Sequence, residues 1–160
     1  MRRKGADLAA RFRRAIRSDR DEKVEQERAR DRALEAARAA RGALLEELAA
    51  FAEAVGFLEV VTRGEALVVR YSDDVVREIV FTPSGDADRV QVGFTGQPAH
   101  EHHELYRQPE LGDLWVWSIR RVRREDRLPL FDAGLEELLV RGLNLPRPGD
   151  SEPGGGPRTL

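Results

Sequence analysis

Cysteine is absent from this 160-residue chain, which excludes disulfides, thiolate nucleophiles and every thiolate-ligated metal centre. Lysine is nearly absent as well: of 27 basic residues only Lys4 and Lys23 are not arginine. With Ala and Gly also abundant, that bias reads as GC-rich coding and not as selection for guanidinium chemistry. No run approaches the roughly 20 apolar residues of a membrane span, and no apolar stretch follows the basic N-terminus as a secretory signal would require. A cytoplasmic protein without a membrane span is expected. The patterns G-x-S-x-G, G-x-x-x-x-G-K and G-x-G-x-x-G are all missing. The chain therefore offers no nucleophile elbow, phosphate loop or dinucleotide fingerprint, and neither a cofactor nor a small-molecule substrate is indicated.

What is present is charge, unevenly spread. The formal net charge is only −2, yet residues 1 to 20 carry eight Lys/Arg against two Asp/Glu, a net +6. Residues 55 to 150 carry twelve against seventeen, a net −5. A basic arm precedes an acidic body, and a chain of this length can bury one core.

Between Ala6 and Arg41 there is no proline and no glycine, and Ala, Arg and Glu all favour helix. One long helix is expected there. Leu8, Phe12 and Ile16 recur at i, i+4 and i+8, but residues 17 to 32 supply only Val24 and Ala29 as apolar members. That middle section reads as an exposed rod laced with ion pairs, such as Asp21 with Arg28; residues 17 to 42 would span about 39 Å. A coiled coil fails, because the register through Leu45, Leu48, Ala52 and Val55 meets Arg41, Arg38 and Asp31 at core positions. Ala43 to Val55 reads instead as a core helix.

At Gly56 the period changes from 3.6 to 2. Strands are expected at 57–62, 65–71, 75–82 and 89–95, joined by turn-like links at Arg63-Gly64, Ser72-Asp73-Asp74 and Pro83-Ser84-Gly85-Asp86. Residues 96–112 read as a connection. A fifth strand is expected at 114–124, with Trp115, Trp117 and Ile119 on one face. Pro129 then breaks the chain, Asp132 stands at an N-cap position, and Leu135, Leu138, Leu139 and Leu143 have helical spacing. The fold class is α+β: a long N-terminal helix, an antiparallel sheet of about five strands, a C-terminal helix packed on the sheet and a disordered tail. The division is a charged extended helix over 1–42, an α+β domain over 43–145, and a Pro/Gly-rich tail over 146–160.

Three groups of residues carry possible chemistry. His100, His102 and His103 are the only histidines, and with Glu104 they supply imidazole and carboxylate ligands for a first-row metal and a metal-dependent activity. The segment approaches H-E-x-x-H but ends in Glu104 where histidine is needed. Its alternative is an exposed loop or short helix that gains charge as pH falls toward 6. Arg120, Arg121, Arg123 and Arg124 beside two tryptophans suggest nucleic-acid binding by phosphate contact and stacking. Against this stand the acidic body and the need of the sheet for core tryptophans. The sharpest group is the stripe of Leu8, Phe12 and Ile16 flanked by Arg11, Arg13, Arg14 and Arg17, the pattern of a helix that docks in a groove or lies on an anionic surface. The leading expectation is a non-enzymatic interaction, assembly or adaptor protein, its N-terminal helix binding a partner or another copy. A nucleic-acid-binding basic arm is the alternative.

Overall fold

The computed structural model describes residues 2–148. The chain divides into two compact units, Met1–Ala37 and Arg38–Leu160. A single helix, α1, runs Arg2–Val55; it contains no proline, and it passes through Gly5 and Gly42 before ending ahead of Gly56. No described helix is long and apolar enough to cross a membrane.

In the first unit every residue from 3 to 36 is exposed except Ala10, which is half-buried. The expected ion pairs lie elsewhere than Asp21 and Arg28: Asp19 pairs with Lys23 at 3.1 Å and Glu25 with Arg28 at 3.3 Å. Both are i,i+4 or i,i+3 pairs in open solvent and contribute little beyond helix propensity.

The second unit holds seven strands where about five are expected. These are β1 (Glu59–Arg63), β2 (Ala66–Ser72), β3 (Val76–Pro83), β4 (Arg89–Phe94), β5 (His102–Gln108), β6 (Leu114–Arg121) and β7 (Arg124–Pro129). They form one antiparallel meander in chain order. The residues 96–112, read as a connection, contain β5. The stretch 114–124, read as one strand, is β6 followed by a hairpin into β7. Its two-residue turn, Val122-Arg123, joins the pair Arg121 and Arg124. Neither turn residue has positive φ, so the Gly or Asn that usually marks a primed hairpin turn is not needed here. By contrast the β1–β2 turn is Gly64-Glu65, with glycine first at φ 63°, one residue later than its turn signal suggests.

Register puts Leu67, Phe81, Val92, His103 and Ile119 in one row across the sheet. Val90, Leu105, Trp117 and Leu128 form the next. This apolar face joins Leu44, Leu48 and Ala52 of α1 in a single core with Leu130 and with Leu135, Leu138 and Leu143. The last three lie on α2 (Leu135–Leu143). The α1 residues in this core are thus Leu44, Leu48 and Ala52, with Leu45 only partly buried.

A wide helical turn, Leu130–Gly134, leads into α2 directly after Pro129, and Asp132 makes no capping hydrogen bond. The expected N-cap is absent because the chain enters the helix through this turn. Of the tail expected from 146 onward, residues 149–160 lie outside the described residues. Residues 146–148 are tied to the body, Arg147 donating to Glu137 at 2.6 Å.

Candidate functional site

The histidine segment sits at the start of β5, and strand alternation separates its members. His103 points into the core with no exposed side-chain surface, while His102 and Glu104 point to the opposite face and His100 precedes the strand. Trp117 Nε1 donates to His103 Nδ1 at 3.1 Å. An indole N–H can only donate, so Nδ1 is the acceptor and the ring proton sits on Nε2. That proton is donated to Glu101 Oε2, 3.0 Å away. Both ring nitrogens are therefore used in a neutral imidazole that also packs edge-on to Phe94 and stacks on Trp117. Burial pushes the His103 pKa down, outweighing the upward pull of Glu101, and Arg141 and Arg121 add to the depression. The expectation that this histidine charges near pH 6 is corrected: its environment selects the neutral form.

The carboxylates of the segment are held by arginines. Arg121 Nε donates to Glu101 Oε1 at 3.0 Å, and the same guanidinium bonds Asp126. Burial pushes the Glu101 carboxyl up, but hydrogen bonds from His103 and Arg121 prevail and hold it below the usual range. On the other face Glu104 is bonded by Arg89 and by Arg120, the latter at 3.2 Å. Ser118 Oγ and Arg127 both donate to Glu125. Among the described residues no group of three or more His, Asp or Glu is placed to hold a metal ion. His100, His102, His103, Glu104, Arg120 and Arg121 all border one open cleft of about 550 Å³, but with His103 and Glu104 engaged as above they do not converge as ligands.

The four arginines expected to meet phosphate divide likewise. Arg120 and Arg121 are paired as described, and Arg124 pairs with Asp126 at 3.1 Å. Arg123 stands at the hairpin tip beside Val122, which is 84% exposed. Trp115 and Trp117 are buried in the core, so no stacking platform accompanies them.

On α1 the three stripe residues are exposed together, Leu8 at 53%, Phe12 at 62% and Ile16 at 51%. Arg11, Arg13, Arg14 and Arg17 flank them without an ion pair among the described residues. Arg13 and Arg14 instead reach back to the carbonyls of Ala9 and Ala10 at 3.4 Å. Comparison with protein-family models, curated proteins and solved structures finds no match. The geometry alone carries the functional reading.

Sequence reasoning missed a second surface. Phe51 and Val55 from the end of α1, Phe57, Phe131, and Leu135 and Leu139 of α2 line an open, mainly apolar groove of about 680 Å³. Phe57 and Phe131 are both exposed, and Asp132 and Glu136 stand at its border. The signal in sequence was faint. Phe57 reads as the first residue of a strand and Phe131 lies between the break at Pro129 and the expected N-cap at Asp132, and nothing in either pattern says they meet.

Proposed function

We propose that this chain is a non-enzymatic interaction or assembly protein whose N-terminal helix docks on a protein partner or on another copy. The observation that carries the reading is the joint exposure of Leu8, Phe12 and Ile16 on one helix face. Apolar surface left in water is recovered by docking, and i, i+4, i+8 is the spacing that helix-in-groove recognition reads. The unpaired flanking arginines steer the helix toward an acidic surface. Three such side chains stabilise a complex by roughly 1.5–3 kcal/mol each when fully buried, against about 4–15 kcal/mol of lost rigid-body freedom. A single docking event is therefore weak, and charge or a second point of attachment must strengthen it.

The test is the full-length triple variant Leu8→Ala, Phe12→Ala, Ile16→Ala. Alanine preserves helix propensity, so circular dichroism and the melting temperature, both taken at a concentration below self-association, should match the parent protein. Self-association measured by light scattering, or recovery of a co-purifying partner, should be lost. Assembly identical to the parent protein would overturn the reading. The net +6 of residues 1 to 20 favours one second reading, a polyanion-binding arm. It would show as nucleic-acid affinity whose logarithm falls with log salt by about 0.7–0.9 per phosphate neutralised.

A further inference from the structure

Of the twelve exposed large apolar residues among those described, six fall into two groups of three. One is the stripe of Leu8, Phe12 and Ile16; the other is Phe51, Phe57 and Phe131 around the apolar groove. The two match in three respects. The groove lies between helical pairs at i,i+4, Phe51 with Val55 and Leu135 with Leu139, which is the ridge spacing that accepts a third helix bearing an i, i+4, i+8 stripe. Its border carries Asp132 and Glu136, four residues apart and both exposed, whereas the stripe is flanked by arginines that include Arg13 and Arg17, also four apart. The signs are opposite and the charged spacing is the same. Both halves of the contact also belong to one chain, so a second copy always supplies the complement at equal stoichiometry.

We infer that the groove bordered by Asp132 and Glu136 receives the N-terminal stripe of a second copy of this chain. The inference rests on the docking-helix reading above and names its partner. Reciprocal exchange, each copy's stripe in the other's groove, makes two dockings for one loss of rigid-body freedom and closes the assembly at two chains. That removes the weakness of a single three-residue docking.

The experiment uses full-length protein and sedimentation or light scattering across a concentration series. The parent protein is expected to be dimeric. The groove variant Phe57→Lys, Phe131→Lys alters exposed side chains, so its melting curve at a concentration below self-association should match the parent's, while its dimer affinity falls by about 100-fold or more. The stripe variant Leu8→Ala, Phe12→Ala, Ile16→Ala should behave alike. Mixing the two variants restores one intact stripe–groove pair, so a heterodimer should form that neither variant forms alone. Independently of the phenylalanines, Asp132→Arg, Glu136→Arg should weaken the dimer and mixing with Arg13→Glu, Arg17→Glu should recover it. A stripe variant that dissociates beside a groove variant and a charge-reversed groove that do not would overturn this inference and leave the docking-helix reading standing. A monomeric parent protein would overturn it too, and the docking-helix reading would then depend on capture of a different partner through the same stripe. Dimerisation unaffected by either set of substitutions would overturn both.

Discussion

At the scale of single residues, His103 shows how position changes chemistry. In sequence it is one of three histidines in a charged run; in the fold it is a core residue whose two nitrogens are both committed, one to Trp117 and one to Glu101. Charging it would place a second ring proton against the indole N–H, and burial resists the charge as well. The sign of the pH effect follows. The folded pKa lies below the unfolded value of about 6.5, so the unfolded chain binds more protons as pH drops through 6.5, and stability contributed by the neutral ring declines from there downward. Chemical denaturation at pH 7.5 and 5.5 should show that decline. His103→Gln, able to accept from Trp117 and donate to Glu101, should flatten it. The paired carboxylates act lower. Glu101, Asp126 and Glu137 are all held below the ordinary range by their arginine partners and, for Glu101, by His103 also. They contribute stability above the usual carboxylate pKa and lose it as pH falls through their depressed values.

Gly142 is a second case. Alanine in a helix interior is ordinarily worth up to about 1 kcal/mol over glycine. Here a Cβ would stand 2.6 Å from both Cδ1 and Cγ1 of Ile79, a residue with no exposed surface. Overpacking costs about 1–3 kcal/mol, so Gly142→Ala should lower the denaturation midpoint despite the gain in propensity.

At the scale of elements, α1 carries two apolar stripes of identical spacing and opposite fate. Leu8, Phe12 and Ile16 face water, while Leu44, Leu48 and Ala52 are buried. The periodicity cannot separate them; only the sheet beside the second does. Leu48→Ala should therefore cost about 2–5 kcal/mol, whereas Phe12→Ala should change the stability of the isolated chain by less than about 0.5 kcal/mol. Urea titration of both variants, at a concentration below self-association, makes the comparison.

The strands show the same limit. β4 was legible because its apolar residues alternate with polar ones, and β2 and β3 because short apolar, β-branched runs are bounded by turn residues. β5 was not, since its inward residues are His103, Leu105 and Arg107 and its outward ones His102, Glu104 and Tyr106. Polar residues occur on both faces, paired across the sheet in ways that a linear pattern does not display. β7 escaped for a different reason: a hairpin turn made of Val122 and Arg123 bears no turn signal. Asp132 misled in the opposite direction, a residue suited to capping at a place where the helix does not begin.

At the scale of the whole molecule, the charge asymmetry bears on assembly. In the proposed pairing the basic arm of one copy and the acidic groove border of the other would attract through exposed charges, which salt screens within about 10 Å at 0.1 M, while apolar burial does not weaken with salt. For the stripe-in-groove pairing, raising sodium chloride from 0.1 to 0.5 M should slow association and loosen the dimer modestly, leaving it detectable by sedimentation at micromolar concentration. A polyanion complex of the arm would dissolve over the same range.

The sequence by itself determined the long helix, because nothing between residues 6 and 41 breaks it, and the α+β class, because the hydrophobic period switches at Gly56. It also determined the stripe of Leu8, Phe12 and Ile16 as a face, since helical spacing is local. Only the tertiary structure decided that His103 is a neutral core residue, that the arginines of β6 and β7 meet carboxylates, and that Phe51, Phe57 and Phe131 share a groove. Each of those depends on which residues lie opposite one another across strands or between helices. That register is set by packing between segments far apart in the chain, not by the neighbours each residue has along it.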